Sequence, residues 1–262
     1  MEYGIALLSI IPIRKESSEK SEMTSQLLFG ECFRILEIKN NWAFIESLYD
    51  NHQGWADEIM VTEINRETYN SIASETLLTI RQKIIELILP DNSVQLIFAG
   101  STIPFFDKNS GKFSIEGKEF RISKKPDSPD IKNIRQEMEN VALLYYNSPY
   151  LWGGRTPFGI DCSGLTQIVC KICGIKLPRN AYQQSGYGKA VSAPGQSKKG
   201  DLAFFTKTGP ENITHAGILL DQNKIIHASG SVRIDTFDEK GIFNKGLDAY
   251  THRLAAIRNV ID

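Results

Sequence analysis

The segment Pro149-Tyr150-Leu151-Trp152-Gly153-Gly154, followed by Asp161-Cys162-Ser163-Gly164-Leu165, constrains this chain more than any other. A glycine-rich, aromatic-flanked loop there runs into an apolar-periodic segment that reads as a helix, with one cysteine at the junction. The first N–H groups of a helix have no partner inside it, and their partial positive charge favours a thiolate over a thiol. Cysteines in such settings have pKa values of roughly 3.5 to 7.5, against about 8.5 for a free thiol. Cys162 is therefore a candidate nucleophile, expected to have a depressed pKa.

A nucleophilic cysteine needs a base within hydrogen-bond reach, and the base needs a third group to hold its ring. The chain offers 4 histidines. His52, in the turn-like Asp50-Asn51-His52-Gln53-Gly54, and His252, near the C-terminus, read as solvent-facing or strand-ending residues. His215 and His227 differ, because they stand on two apolar runs, 213–220 and 224–228, around the polar turn Asp221-Gln222-Asn223. Folded as a hairpin, the two positions come within a residue or two of direct opposition. Each alone reads as an ordinary sheet histidine; together, beside the Cys162 loop, they make a Cys-His-His arrangement.

With 262 residues, 41% of them hydrophobic, the chain has room for one large domain or two to three small ones. Its 30 basic and 31 acidic residues nearly balance, without a long basic run, which argues against nucleic acid or an anionic membrane as the main partner. No apolar stretch approaches the roughly 18 to 20 residues that span a bilayer. The first residues lack a basic start and a small-residue cleavage site, so a cytoplasmic protein is expected, with a processed chain as the alternative. Cys32, Cys162, Cys170 and Cys173 do not form a disulfide framework. Cys170-Lys171-Ile172-Cys173 lacks the second pair or nearby histidine of a zinc site, so packing is expected there and no metal or cofactor.

Three segments follow. Residues 1–62 carry short apolar runs at 5–11, 24–29, 32–38, 42–48 and 54–61, as a small barrel does. Residues 63–124 open with a helix near 65–75 and continue with runs at 84–89, 94–99, 103–106 and 112–122. The last of these reads as a hairpin across Glu116-Gly117, while 80–89 reads equally as strand or helix. A second, diverged barrel is expected. After a polar linker, Ser128 and Pro129 read as the cap and first-turn proline of an amphipathic helix through Ile131, Ile134, Met138, Val141 and Tyr145. The third domain, 126–262, runs from there to the C-terminus.

The motifs 149–154 and 161–165, with Leu177-Pro178-Arg179, Gly200-Asp201-Leu202, Thr214-His215-Ala216-Gly217 and Ile226-His227-Ala228, resemble the NlpC-type papain-like cysteine peptidases of bacterial cell walls. The first segment, with Ser21-Glu22-Met23, Trp42 and Gly54-Trp55, resembles bacterial SH3-like domains. The whole is similar to the gamma-D-glutamyl-L-diamino acid endopeptidases, also called dipeptidyl-peptidase VI. The resemblance implies an α+β fold, with a papain-like catalytic domain of helices packed on an antiparallel sheet, preceded by two SH3-like β-barrels. It also implies cleavage of muropeptides between gamma-D-Glu and L-Lys or meso-diaminopimelate, releasing L-Ala-gamma-D-Glu, with no cofactor; a secreted hydrolase of polymeric murein and a catalytically silent peptide-binding module are the alternatives.

By position, the resemblance makes Cys162 the nucleophile, His215 its base, His227 the orienting group, and Tyr150 a neighbour of the thiol that helps hold the oxyanion. Trp152, Asp161 and Ser163 would line the pocket, and Arg179 belongs to the same substrate-binding set. Where relatives that release dipeptides have Asp to meet the free amine of L-Ala, this chain has Asn180. Glu22 and Trp55, on the first barrel, are the alternative source of that contact, and the barrels would restrict the cleft to short peptides.

Overall fold

The computed structural model describes residues 2–127, 129–207, 209 and 212–261, with only the backbone of 131. The chain divides into two compact units, 1–128 and 129–262. Among the described residues no helix is long and apolar enough to cross a membrane.

In the first unit, seven antiparallel strands, Tyr3–Ile5, Ile10–Arg14, Met23–Leu28, Cys32–Lys39, Trp42–Ser47, Gln53–Asp57 and Thr62–Ile64, form one sheet. The apolar run at 5–11 is not one strand: it breaks after Ile5, where Ala6 bonds to Glu31 and Gly30 instead of continuing the ladder. The helix Arg66–Ser74 begins where Asn65 accepts from the Thr68 N–H at 2.8 Å. A second sheet holds Ile84–Ile88, Val94–Phe98, Lys112–Ile115 and Lys118–Ile122. Ile84–Ile88 is a strand, its buried Ile85 and Leu87 alternating with exposed neighbours. The Glu116-Gly117 turn is as expected, with both residues at positive φ (47° and 74°), the conformation of a two-residue hairpin. One core, including Ile5, Phe29, Ile64, Ile72, Ile97 and Phe120, joins both sheets.

The second unit opens with the helix Ile134–Leu144. It starts later than the periodicity predicts, because Asp130 caps a short 3-10 turn at Ile131–Asn133 and Asn133 then caps the helix proper. Pro129 thus precedes the helix by several residues, and Ser128 lies outside the described residues. The sheet runs in the order Lys189–Val191, Ala249–Asn259, Leu202–Thr206, Ile213–Leu219, Lys224–Ser229, Ser231–Asp238, Gly241–Asn244. The last of these also pairs with Ala249–Asn259, so six strands close on themselves. The cysteine helix, Cys162–Ile172, is buried along its whole length and packs on the Ile213–Leu219 and Lys224–Ser229 strands and on Ile134–Leu144. Leu165, Ile168, Val169, Cys170 and Ile172 supply its apolar surface, and buried polar side chains on it are hydrogen-bonded, Thr166 Oγ1 donating to Gln184 Oε1 at 2.6 Å and Gln167 Nε2 to the Leu177 carbonyl at 3.1 Å. Cys170 and Cys173 are buried thiols, and neither is in a disulfide.

Gly164 is where the loop and this helix meet: a Cβ there would lie 2.4 Å from the Gly154 carbonyl oxygen. A Gly164→Ala substitution therefore has to push the 149–154 loop off the helix. Overpacking of this kind costs about 1 to 3 kcal/mol, and urea unfolding followed by circular dichroism should show the loss. An unchanged midpoint would mean that the loop is not seated as described.

Candidate active site

The site is built around one carboxylate. Asp161 precedes the cysteine helix with extended backbone, and its Oδ1 accepts from the Gly164 N–H at 2.7 Å, capping the helix start. Its Oδ2 accepts from the Gly153 N–H at 2.8 Å, which ties down the glycine loop. Arg179 completes the clamp with two parallel bonds, Nη1 to Oδ1 at 3.1 Å and Nη2 to Oδ2 at 2.6 Å, and its Nη1 also donates to Ser163 Oγ at 2.9 Å. Both partners are buried, Asp161 to 5% exposure and Arg179 to 2%. Where a pocket-lining role is expected of Asp161 and a substrate-binding role of Arg179, the structure shows the carboxylate and guanidinium bonded to each other, to the loop and to Ser163, and neither is among the described residues that border the cleft.

The cleft itself, about 550 Å³, is bordered by Cys162 and His215, with Tyr150, Trp152, Ser163 and Asn180 around them. Tyr182, Lys207 and His252 complete the rim. Trp152 is 57% exposed and Tyr182 60%, so Trp152 is not a core aromatic but a flat apolar surface at the mouth. Asn180 caps the short helix Ala181–Gln184, with its own N–H donating to Gln183 Oε1 at 3.3 Å. Gln184 fastens that helix to the cysteine helix, donating to the Ser163 carbonyl at 3.0 Å and accepting from Thr166 Oγ1 at 2.6 Å. Glu22 and Trp55 belong to the first unit, where Trp55 packs on Phe44 at 5.1 Å between ring centroids and the Glu22 carbonyl accepts from the Lys15 N–H.

The two histidines meet diagonally. His227 pairs across the ladder with Gly217, so His215 sits two residues along on the same face. Gly217 leaves room for this: a Cβ there would stand 3.0 Å from His227 Cβ. His215 Nε2 and His227 Nδ1 are 2.8 Å apart, and His227 Nε2 is 3.0 Å from Asp235 Oδ2. Arg233 secures Asp235 in turn, at 2.7 Å from Nε to Oδ2 and 2.9 Å from Nη2 to Oδ1. Burial opposes the charge on Asp235, but the His227 and Arg233 bonds outweigh it and hold the carboxyl below its ordinary range. Sequence reasoning missed Asp235; the signal was its place on the next strand, near the residue opposite His227.

His252 also departs from expectation. It does not face solvent or merely end a strand, but borders the cleft with its ring stacked on His215 at 4.1 Å. His215, His227 and His252 bring one nitrogen each within 4.8 Å of one another. His215 Nε2 and His227 Nδ1 are within hydrogen-bond distance of each other, and the His215 and His252 rings are 27° from parallel.

The thiol departs from expectation in electrostatics as well. Burial pushes Cys162 up to about 12, helped by the Asp161 charge, and outweighs the Ala216 and Ser163 amides and Arg179, which favour the thiolate. Burial also drives His215 well below its ordinary value, aided by His227, His252 and the Lys207 charge. Both shifts favour a neutral thiol and a neutral imidazole, the starting states of a nucleophile and its general base, and the two side chains border the same cleft. Tyr150 is pushed up to about 12, first by burial and then by its acidic neighbours Cys162 and Asp161, so its hydroxyl stays a donor at neutral pH.

A closed antiparallel sheet with a buried nucleophile helix against it and a thiol-imidazole pair at their junction is the papain-like arrangement. Residues 147–250 match the NlpC/P60 family and residues 13–58 the bacterial dipeptidyl-peptidase SH3 domain, and the chain carries both domains. It is 41% identical to a gamma-DL-glutamyl hydrolase of Bacillus subtilis over 44% of this chain and 27% of that one. It is 31% identical to the gamma-D-glutamyl-L-lysine dipeptidyl-peptidase of the same organism over 61% and 55%. The chain thus spans about a quarter and about half the length of these two relatives. With dipeptidyl-peptidase 6 of Lysinibacillus sphaericus it shares 22% identity over 90% and 92% of the two chains. A crystal structure of an NlpC/P60 family protein from Bacillus cereus has the same fold over 99% of this chain and 100% of that one, at a TM-score of 0.80 and 17% identity.

Two measurements check the site. Alkylation of Cys162 by iodoacetamide, followed by mass spectrometry, should accelerate roughly tenfold per pH unit from pH 6 to 9, because thiolate forms only as pH climbs toward the raised pKa. A rate flat from pH 6 to 8 would instead require a preformed thiolate-imidazolium pair. Replacing Arg179 by Leu should cost about 3 to 5 kcal/mol of stability by leaving Asp161 buried without its partner. Thermal unfolding of the variant tests this, and a melting point within 2 °C or so of wild type refutes the clamp.

Proposed function

We propose that this protein is a cysteine peptidase that hydrolyses the bond between gamma-D-Glu and a diamino acid, L-Lys or meso-diaminopimelate, in short muropeptides. Release of L-Ala-gamma-D-Glu in murein recycling is part of the proposal. The observation that carries it is the Cys162, His215, His227, Asp235 chain ending in an open cleft, in a domain whose relatives bear gamma-glutamyl peptidase names. We also read residues 63–124 as a second, diverged SH3-like barrel, on the strength of their short antiparallel strands and tight hairpin.

The chemistry follows from the protonation states. As the gamma-carbonyl carbon of D-Glu approaches, His215 takes the Cys162 proton and Sγ forms the new bond. The tetrahedral oxyanion meets the Cys162 backbone N–H and the Tyr150 hydroxyl, both donors. His227, held by Asp235, spreads the positive charge that His215 acquires. His215 then protonates the leaving amine, and water attacks the thioester by the same route.

Purified protein incubated with L-Ala-gamma-D-Glu-L-Lys and with its diaminopimelate counterpart should release the free diamino acid, and Cys162→Ala should abolish release. No product from either peptide refutes the function. Asn180 offers the substrate amine a neutral acceptor, worth roughly 0.5 to 1.5 kcal/mol, where a carboxylate contributes about 1.5 to 3. Asn180→Asp should therefore lower KM for free-amine peptides about tenfold while leaving N-acylated peptides unimproved. Equal effects on both would place the amine elsewhere.

A further inference from the structure

We propose that His252 is a positioning residue for the base: its ring, stacked on that of His215, fixes the plane in which His215 presents its free nitrogen to Cys162. This rests on the functional reading of the Cys162–His215 pair given above.

His215 has one ring nitrogen, Nε2, bonded to His227. A single hydrogen bond at one ring edge sets a direction but leaves the ring free to rock about it, swinging the opposite nitrogen away from the sulfur. A flat partner against the ring face removes that freedom. His252 is such a partner, at 4.1 Å between centroids and 27° between planes, while Phe205 and His227 approach less closely, at 5.9 Å and 5.0 Å. His252 is itself held, with Thr251 Oγ1 2.9 Å from its Nδ1 and Phe205 at 6.2 Å.

The backbone is arranged to bring the two rings together. Across the Ile213–Leu219 ladder, Phe205 pairs with His215 but Thr206 with Ile213, so Thr214 is an extra residue next to the base. In the Ala249–Asn259 strand, Ile242 pairs with His252 but Phe243 with Tyr250, making Thr251 extra. Phe204 pairs with Ala256 and Phe205 with Leu254, making Ala255 extra as well. Each bulge shifts the alternation by one residue and re-aims a side chain. Three of them surround this one pair of rings. On the far side Gly241, at φ 131°, lets the His252 carbonyl approach so closely that a Cβ there would lie 1.9 Å from its oxygen. The charge state suits the role too. Burial, His227 and Lys207 bring His252 down to about 4, so it is neutral at working pH and does not oppose the charge His215 takes on. His252 lies beyond the 147–250 segment that matches the family.

The test compares His252→Ala, His252→Leu and His252→Phe with wild type, in cleavage of L-Ala-gamma-D-Glu-L-Lys and in iodoacetamide alkylation of Cys162. Ala and Leu should lower kcat roughly 10- to 100-fold with KM within about threefold, the scale of a misplaced catalytic group. Phe, which restores a flat face without a titratable nitrogen, should recover kcat to within about threefold. Alkylation at pH 8 should follow the same order without any substrate. Unchanged kcat in Leu, or a Phe variant as slow as Leu, overturns the proposal, and the Leu and Phe pair decides it if Ala fails to fold. A wild-type protein that cleaves no gamma-D-glutamyl peptide defeats the functional reading alone; equal alkylation rates in all four proteins defeat this one.

Discussion

Everything that makes Cys162 a nucleophile in the right place passes through the carboxylate of Asp161. One oxygen caps the cysteine helix and the other anchors the glycine loop, while Arg179 closes over both. A buried ion pair of this kind contributes little net stability against an apolar substitute, since the desolvation cost offsets most of the attraction. What it supplies is register. Helix start, loop and the 177–180 segment meet at one point, and the sulfur and Tyr150 take their places relative to that point.

The clamp has an electrostatic cost for the thiol it positions. The Asp161 charge adjoins Cys162 and, after burial, is the main influence raising its pKa, while Arg179 acts the other way. The helix-terminus argument from sequence is sound in direction, and the Ala216 and Ser163 amides express it, but desolvation is larger. A thiol kept neutral in this way needs a base that is also neutral and close at hand. The sheet provides one by burying His215 against two further imidazoles and supporting it through His227 and Asp235. The thiol, its base and their buried surroundings thus act together, and on the proposed mechanism they keep the proton on sulfur until substrate arrives.

Sequence made legible what periodicity and local chemistry govern. The Asn65-capped helix, the Glu116-Gly117 hairpin and the Cys162 helix are read from caps, turn residues and spacing within a few positions of one another. The diagonal approach of His215 and His227 follows from a two-residue period around a three-residue turn. What was not legible depends on pairing between distant strands. His252 is 37 positions from His215, and only bulges at Thr214, Thr251 and Ala255 bring the two rings together, for which a single sequence carries no mark. The resemblance places Arg179 and Asp161 at the substrate; that they satisfy each other is a matter of burial, invisible until the loop is folded.

The lining of the cleft then decides how it can discriminate. Among the described residues around it there is one cation, Lys207, and no carboxylate, and the neutral acceptors include Asn180 and Ser163. The substrate of the proposed reaction carries a free alpha-carboxylate on D-Glu beside the scissile bond, and Lys207 and the neutral donors around Cys162 are matched to that anion. The two exposed aromatics, Trp152 and Tyr182, add flat apolar surface without charge. On the proposed reaction, selection by the described lining would be weighted toward the acidic, gamma-linked side of the bond. A substrate amine held by Asn180 would then make a hydrogen bond about 1 to 1.5 kcal/mol weaker than one to a carboxylate, close to a factor of ten in binding.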